Sequence, residues 1–329
     1  CQQGGDVFKF VELWEKTDFK GALEILAERA GIPLSSQDPR EQKRYRERQS
    51  LYKILALAAR FYHHIFLNLP PGKAARDYCQ RRGIDRETSE KFMLGCALPG
   101  WDNLIRFFAK RGYKAEELVK AGLVLPGRRG GYYDRFRNRL IFPIWDQRGR
   151  VVAFGGRVLD DSQPKYLNSP ESTIYSKGKN LYGLHLAAGA IREQGWVLVV
   201  EGYLDALTAH QYGWPNVVAS LGTALTHEQA RLLSRYCRRV LIAYDADTAG
   251  QEATLRSFRL LKEAGCQVAV VPLPQGSDPD SYLRAEGAAA FGQLLEKALP
   301  PVEYRLKMLQ DQLDLSTLEG KMQATNSLV

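Results

Sequence analysis

Cysteine is sparse in this sequence and is not arranged for chemistry. Five residues (Cys1, Cys79, Cys96, Cys237 and Cys266) are scattered over 329 positions, odd in number and without paired spacing. That excludes a disulfide-stapled framework. Long apolar runs are missing as well, so no stretch reads as a signal peptide or a membrane span, and a reducing cytoplasm is the expectation. Heptads, tandem repeats and low-complexity tracts are absent, which removes coiled coils and repeat arrays. What is present is a chain with 45% hydrophobic residues, enough for two or three cores. Basic residues outnumber acidic ones by 46 to 37, giving a net charge of +9 and a pI near 9.2. Residues 101–150 alone hold twelve Lys or Arg against five Asp or Glu, +7 of that total.

The acidic residues have a pattern. Val197-Leu-Val-Val200 is a short continuous apolar run, the signature of a strand covered on both faces in a parallel sheet. It leads into Glu201-Gly-Tyr-Leu-Asp205 and a helical pattern. Val240-Leu-Ile-Ala-Tyr244 ends in Asp245-Ala-Asp247-Thr-Ala-Gly250, and Val268-Ala-Val-Val271 leads to Gly276-Ser-Asp278-Pro-Asp280. Three strand ends thus deliver Glu201, Asp205, Asp245, Asp247, Asp278 and Asp280 to the carboxyl edge of a sheet, where open α/β folds bind ligands. Asp is also a common turn and N-cap residue. Three strand ends behaving alike favour a shared site. Converging carboxylates repel one another and must protonate or hold cations, and Mg²⁺ suits loose carboxylate sets that also take phosphate oxygens.

Upstream, the spacing predicts helices over 7–16, 19–30, 40–68, 73–92 and 101–121, with a strand at 93–98. Asp134-Arg-Phe-Arg-Asn-Arg139 puts Arg135, Arg137 and Arg139 at period two, so on a strand they line one face. Guanidinium groups in a row suit phosphates. Leu140–Trp145, the turn Asp146–Gly149 and Val151–Phe154 read as a hairpin. Arg157, Lys165, Tyr166, Asn168 and Lys177 follow in short Gly- and Pro-marked blocks.

The Glu-Gly-Tyr-Leu-Asp, Asp-Ala-Asp-Thr-Ala-Gly and Ser-Asp-Pro-Asp triplet resembles the Toprim domain of bacterial DnaG-type primases. Topoisomerases and some nucleases share it. The Arg-Phe-Arg-Asn-Arg, Phe-Gly-Gly-Arg, Pro-Lys-Tyr-Leu-Asn-Ser-Pro and Lys-Gly blocks resemble the primase core before its Toprim domain, so the resemblance extends over roughly residues 1–300. It implies an α/β fold: a doubly wound parallel Toprim sheet, a preceding mixed α/β basic subdomain and a C-terminal helical segment. The corresponding divisions are 1–34, 35–182, 183–285 and 286–329.

It also implies a DNA-directed RNA polymerase that makes short primers on single-stranded DNA from ribonucleoside triphosphates, leaving an RNA–DNA hybrid. The six carboxylates would be catalytic, with Mg²⁺ or Mn²⁺ on Glu201, Asp245, Asp247, Asp278 and Asp280, and Glu201 either ligand or base. Arg135, Arg137, Arg139, Arg157, Lys165, Tyr166, Asn168 and Lys177 would hold template or nucleotide. Ala246 and Thr248 stand where family members often carry Gly and Arg, so the resemblance does not carry over a phosphate contact from that Arg position. Cys1 resembles the last ligand of a zinc ribbon, whose zinc belongs to a longer protein. A helicase-binding domain would follow this chain, and the setting would be the replication fork in the nucleoid. A metal-dependent Toprim nuclease and a non-catalytic nucleic-acid-binding module are the alternatives.

Overall fold

The structure is a computed structural model that describes residues 4–15, 18–30, 38–222, 224–246, 248–312, 317–318, 320 and 322–323. Cys1 and Asp247 lie outside the described residues. Two compact units divide at Ser50/Leu51. The first holds α1 (Val7–Glu15) and α2 (Phe19–Ala30), packed through Val11, Ala22 and Ile25. It also holds the start of α3 (Pro39–Asn68).

In the second unit the later part of α3 buries Leu51, Ile54, Leu55, Ala58, Tyr62 and Phe66. There follow α4 (Lys73–Arg81), α5 (Arg86–Lys91), β1 (Gly95–Ala97), α6 (Asn103–Ala109) and α7 (Ala115–Lys120). The helical pattern over 73–92 is broken because Gly83 takes φ +71° and Asp85 then caps α5 by accepting from the Thr88 N–H. A two-stranded ribbon, β2 (Val124–Pro126) with β3 (Tyr132–Asp134), precedes the long hairpin β4 (Arg139–Trp145) and β5 (Val151–Val158). With β6 (Tyr166–Asn168) these complete an antiparallel sheet in the order β1-β4-β5-β6.

The expected strand through Asp134–Arg139 does not form. β3 pairs with β2 whereas β4 pairs with β1 and β5, so residues 135–138 must cross from one sheet to the other. Asn138 makes the corner in the left-handed region, φ +49°, which Asn tolerates better than most residues. The three arginines therefore share no face.

The remainder is a parallel sheet ordered β10-β9-β7-β8. Its elements are α8 (Leu184–Gln194), β7 (Trp196–Val200), α9 (Tyr203–Gln211), β8 (Val217–Ala219), α10 (His227–Ser234), β9 (Arg239–Ile242), α11 (Thr248–Glu263) and β10 (Gln267–Val270). α12 (Pro279–Glu296), kinked at Gly287, and α13 (Pro301–Gln312) close it. Alternate residues of β7 serve different layers. Leu198 and Val200 pack in the core shared with the antiparallel sheet, and Val197 and Val199 in the core beneath α8, α10 and α11. That two-sided burial is why the strand reads as an unbroken apolar run, each such side chain being worth about 1.5–3 kcal/mol. Among the described residues no helix is long and apolar enough to cross a membrane.

Candidate active site

β7 and β9 are neighbours whose following connections leave in opposite directions, one to β8 and the other to β10. This is the switch point at which a doubly wound sheet opens a crevice. Glu201 follows β7 and Asp245 follows β9. The Asp245 N–H donates to Glu201 Oε1 at 3.3 Å. The loop after β10 joins them: the Ala246 N–H donates to the Ser277 carbonyl at 3.1 Å, which brings Asp278 to the same edge. Asp278 also N-caps α12, accepting from the Ser281 N–H at 2.6 Å, so the turn role and the site role coincide.

Asp205 and Asp280 sit deeper. Asp205 Oδ2 accepts from the Gly202 N–H at 2.9 Å and Oδ1 from the Asp280 N–H at 3.2 Å, stitching the β7–α9 turn to α12. Burial, then the charges of Asp245 and Asp278, push its carboxyl up to about 8. Both oxygens of Asp280 are engaged. Oδ1 accepts from Thr208 Oγ1 at 2.7 Å and Arg284 Nε at 3.1 Å, and Oδ2 from Arg284 Nη2 at 3.1 Å and Arg82 Nη1 at 3.4 Å.

A cavity of about 480 Å³ opens over this edge, with Glu201, Asp205, Asp245, Asp278 and Asp280 in its walls. Facing them are Arg157, Lys165, Tyr166, Asn168 and Lys177. Arg157 Nε donates to the Tyr166 hydroxyl at 3.2 Å and its guanidinium lies 4.5 Å from the Tyr78 ring centre. Desolvation lowers the pKa of Lys177. α10 grips the turn that carries Lys177: Gln229 Nε2 donates to the carbonyls of Lys177 at 3.2 Å and Asn180 at 2.7 Å.

Arg135, Arg137 and Arg139 do not line this cavity. Arg135 Nη2 donates to the Asn168 carbonyl at 2.9 Å. Arg137 donates to the Asp134 carbonyl and stacks 4.3 Å from the Trp101 ring centre. Arg139, 6% exposed, donates to the Gly156 carbonyl at 3.1 Å. Arg135 and Arg139 thus hold carbonyls of β6 and β5 while Arg137 lies over Trp101, so the three side chains go to different neighbours rather than forming one row. Sequence reading missed Arg82, Tyr203 and Arg284. Only Arg284 left a signal, its (i, i+4) spacing from Asp280.

Hard carboxylate oxygens, and an acid lifted first by burial and then by its neighbours' negative charge, fit a divalent cation. The set is not complete among the described residues, where no three His, Cys, Asp or Glu side chains come together closely enough to hold a metal. Asp247 lies outside them.

A parallel sheet with acidic loops at its switch point, joined to a basic antiparallel sheet, defines a Toprim-bearing catalytic core. A family model for the DNA primase catalytic core, N-terminal domain, matches residues 61–188, and one for Toprim-like domains matches 198–283. A DNA primase of Clostridium acetobutylicum is 44% identical over 322 residues, covering 97% of this chain and 53% of that protein. Among solved structures, a DnaG primase catalytic domain bound to ssDNA matches at 40% identity with a TM-score of 0.75, over 86% of this chain and 92% of that one. A DNA primase domain from Pseudomonas aeruginosa matches at 42% identity with a TM-score of 0.76, over 83% and 87%. The chain belongs to the DnaG-type bacterial primase family, as its catalytic core, and spans about half the length of the curated relatives it matches.

Proposed function

We propose that this chain is the RNA-polymerising core of a DNA primase, joining ribonucleotides on a single-stranded DNA template. The observation that carries the reading is the apposition of Glu201, Asp245 and Asp278 with Arg157, Lys165 and Lys177 across one cavity. Nucleotidyl transfer needs both halves. A primer 3′-hydroxyl attacks the α-phosphorus of the incoming triphosphate, the P–O bond to the β-phosphate breaks, and pyrophosphate leaves carrying the electron pair. Arg157, Lys165 and Lys177 would hold the triphosphate by its oxygens and add salt-dependent affinity for template, with little reading of base sequence. Tyr166 and Asn168 would border the base and sugar.

Glu201, Asp245, Asp247 and Asp278 would be the oxygen donors for Mg²⁺ or Mn²⁺. When bound, such an ion neutralises charge on the transferred phosphate and its leaving group. Glu201, whose Oε1 accepts from the Asp245 N–H, would either hold the ion or take the hydroxyl proton. Asp205 and Asp280 would support these donors, since their oxygens are occupied within the protein. We assign residues 35–182 to the basic subdomain, 183–285 to the Toprim domain, 286–329 to the start of a helical segment, and 1–34 to the sequence that follows a zinc ribbon ending at Cys1. One family match ends at 188 and the other begins at 198, within sixteen residues of the middle division. In the longer protein, zinc at that ribbon and a replicative helicase partner would complete the assembly at the fork.

The test is labelled ribonucleotide incorporation on single-stranded DNA with Mg²⁺ or Mn²⁺. It compares the parent with Glu201→Gln, Asp245→Asn and Asp247→Ala, with the zinc ribbon supplied in trans. Template-dependent RNA from the parent should fall at least ~10²-fold in each variant, with DNA binding retained. Template cleavage in place of synthesis would make the chain a Toprim nuclease. DNA binding with neither activity would make it a binding module.

A further inference from the structure

Tyr203 stands between Glu201 and Asp205 in the β7–α9 turn, yet it reaches away from the parallel sheet. Its ring lies on Phe142, centroids 4.6 Å apart and planes 14° apart, and meets Tyr182 edge-on at 4.8 Å. Only 4% of the residue is exposed. Its hydroxyl donates to Asn168 Oδ1 at 2.7 Å. The route crosses β5 at Gly155, the register partner of Asn168. A Cβ at position 155 would stand 2.3 Å from the Tyr203 oxygen, so this crossing requires glycine.

Asn168 is thus fixed at two points: Arg135 holds its backbone carbonyl and Tyr203 its side chain. A buried phenol is costly to leave without an acceptor, and here the acceptor is Asn168 Oδ1. With Oδ1 turned to that proton, the NH₂ of the amide is left for the cavity that Asn168 lines.

We propose that Tyr203 is a positioning residue for nucleotide binding: its hydroxyl holds the Asn168 amide with the NH₂ facing the cavity, where it donates to an oxygen of the incoming ribonucleoside triphosphate. The inference rests on the primase reading for the identity of that ligand. An Asn amide free to flip presents a donor only part of the time, and its carbonyl face repels a ligand oxygen. The same contact ties the carboxylate-bearing turn to β6, so one hydroxyl sets a neutral donor in register with Glu201.

The experiment is a double-mutant cycle on the equilibrium dissociation constant for ATP and GTP with Mg²⁺, using Tyr203→Phe, Asn168→Ala and the double variant. Thermal melts run alongside. Tyr203→Phe should weaken nucleotide binding about 3- to 10-fold, the loss of one hydrogen bond, with the melting temperature close to that of the parent. Asn168→Ala should weaken it at least as much. The double variant should bind like Asn168→Ala alone, because the hydroxyl acts only through the amide. Unchanged binding in Tyr203→Phe, losses that multiply in the double variant, or no nucleotide binding by the parent each overturns the proposal. If Tyr203→Phe does not fold, Asn168→Ala decides: parental affinity there overturns it. Primer synthesis is measured separately, so a failed polymerase reading and a failed positioning role give different results.

Discussion

Gly250 lies directly beneath Asp245: a Cβ at position 250 would stand 2.1 Å from the Asp245 carbonyl oxygen and 3.0 Å from Glu201 Oε1. The first turn of α11 can approach both acidic strand ends only because this residue has no side chain. Gly250→Ala should push the β9–α11 loop off the crevice. We expect primer synthesis to fall by more than tenfold, with a destabilisation of about 1–3 kcal/mol from the clash. Paired activity assays and urea titrations check this. Parental activity in the alanine variant would show that the loop can shift without cost.

Arg284 supplies two of the four donors on Asp280, whose side chain is 4% exposed. Arg284→Ala leaves that carboxylate to Thr208 and to Arg82 at 3.4 Å. Stability should drop by about 3–5 kcal/mol, because a buried charge loses its main partner. Asp280→Asn in the same background should recover part of the loss. A urea midpoint series on the three proteins reads this out.

Acid should destabilise the protein through His210. The ring is 6% exposed, its Nε2 lies 2.9 Å from the Val217 carbonyl oxygen, and burial pushes its pKa down to about 4. The unfolded chain, with an ordinary value near 6.5, binds more protons between those limits, so stability rises with pH through that window and is lost as pH falls from about 6.5 to about 4. In His210→Gln the slope of unfolding free energy against pH between 4 and 6.5 should shrink by about one proton's worth. An unchanged slope would place the responsible titration elsewhere.

Lys165 and Arg139 should separate binding from support. Lys165→Ala should weaken single-stranded DNA or triphosphate affinity. If the lost contact is a DNA phosphate, the slope of log affinity against log salt falls by about 0.7. Arg139→Ala should lower the melting temperature first, since its guanidinium holds the Gly156 carbonyl from a buried position. Salt titrations and melts on both variants distinguish the roles. A large affinity loss with a parental melt in Arg139→Ala would return it to the phosphate wall.

The sequence by itself determined the parallel sheet and the edge of it that matters. Val197–Val200, Val240–Ile242 and Val217–Val218 are apolar without interruption because each strand is covered on both faces, and such covering leaves no room for a polar residue until the strand ends. Glu201 and Asp245 were legible for the same reason: the first charged residue after a doubly buried strand falls at the sheet's carboxyl edge, whereas Asp278 was legible only through its Gly-Ser-Asp-Pro-Asp block. Lys165, Tyr166, Asn168 and Lys177 were legible as blocks, although nothing local says which carboxylates they face. Tertiary structure alone decided the rest. Period two in Arg135, Arg137 and Arg139 describes a strand that does not exist, because Asn138 turns the chain between two sheets whose pairing is set by partners far away in sequence. Arg82 reaches Asp280 across 198 positions and Tyr203 reaches Asn168 across 35. Periodicity senses neighbours within a turn of helix or a few residues of strand. Contacts of that span arise only when two sheets close on a common core.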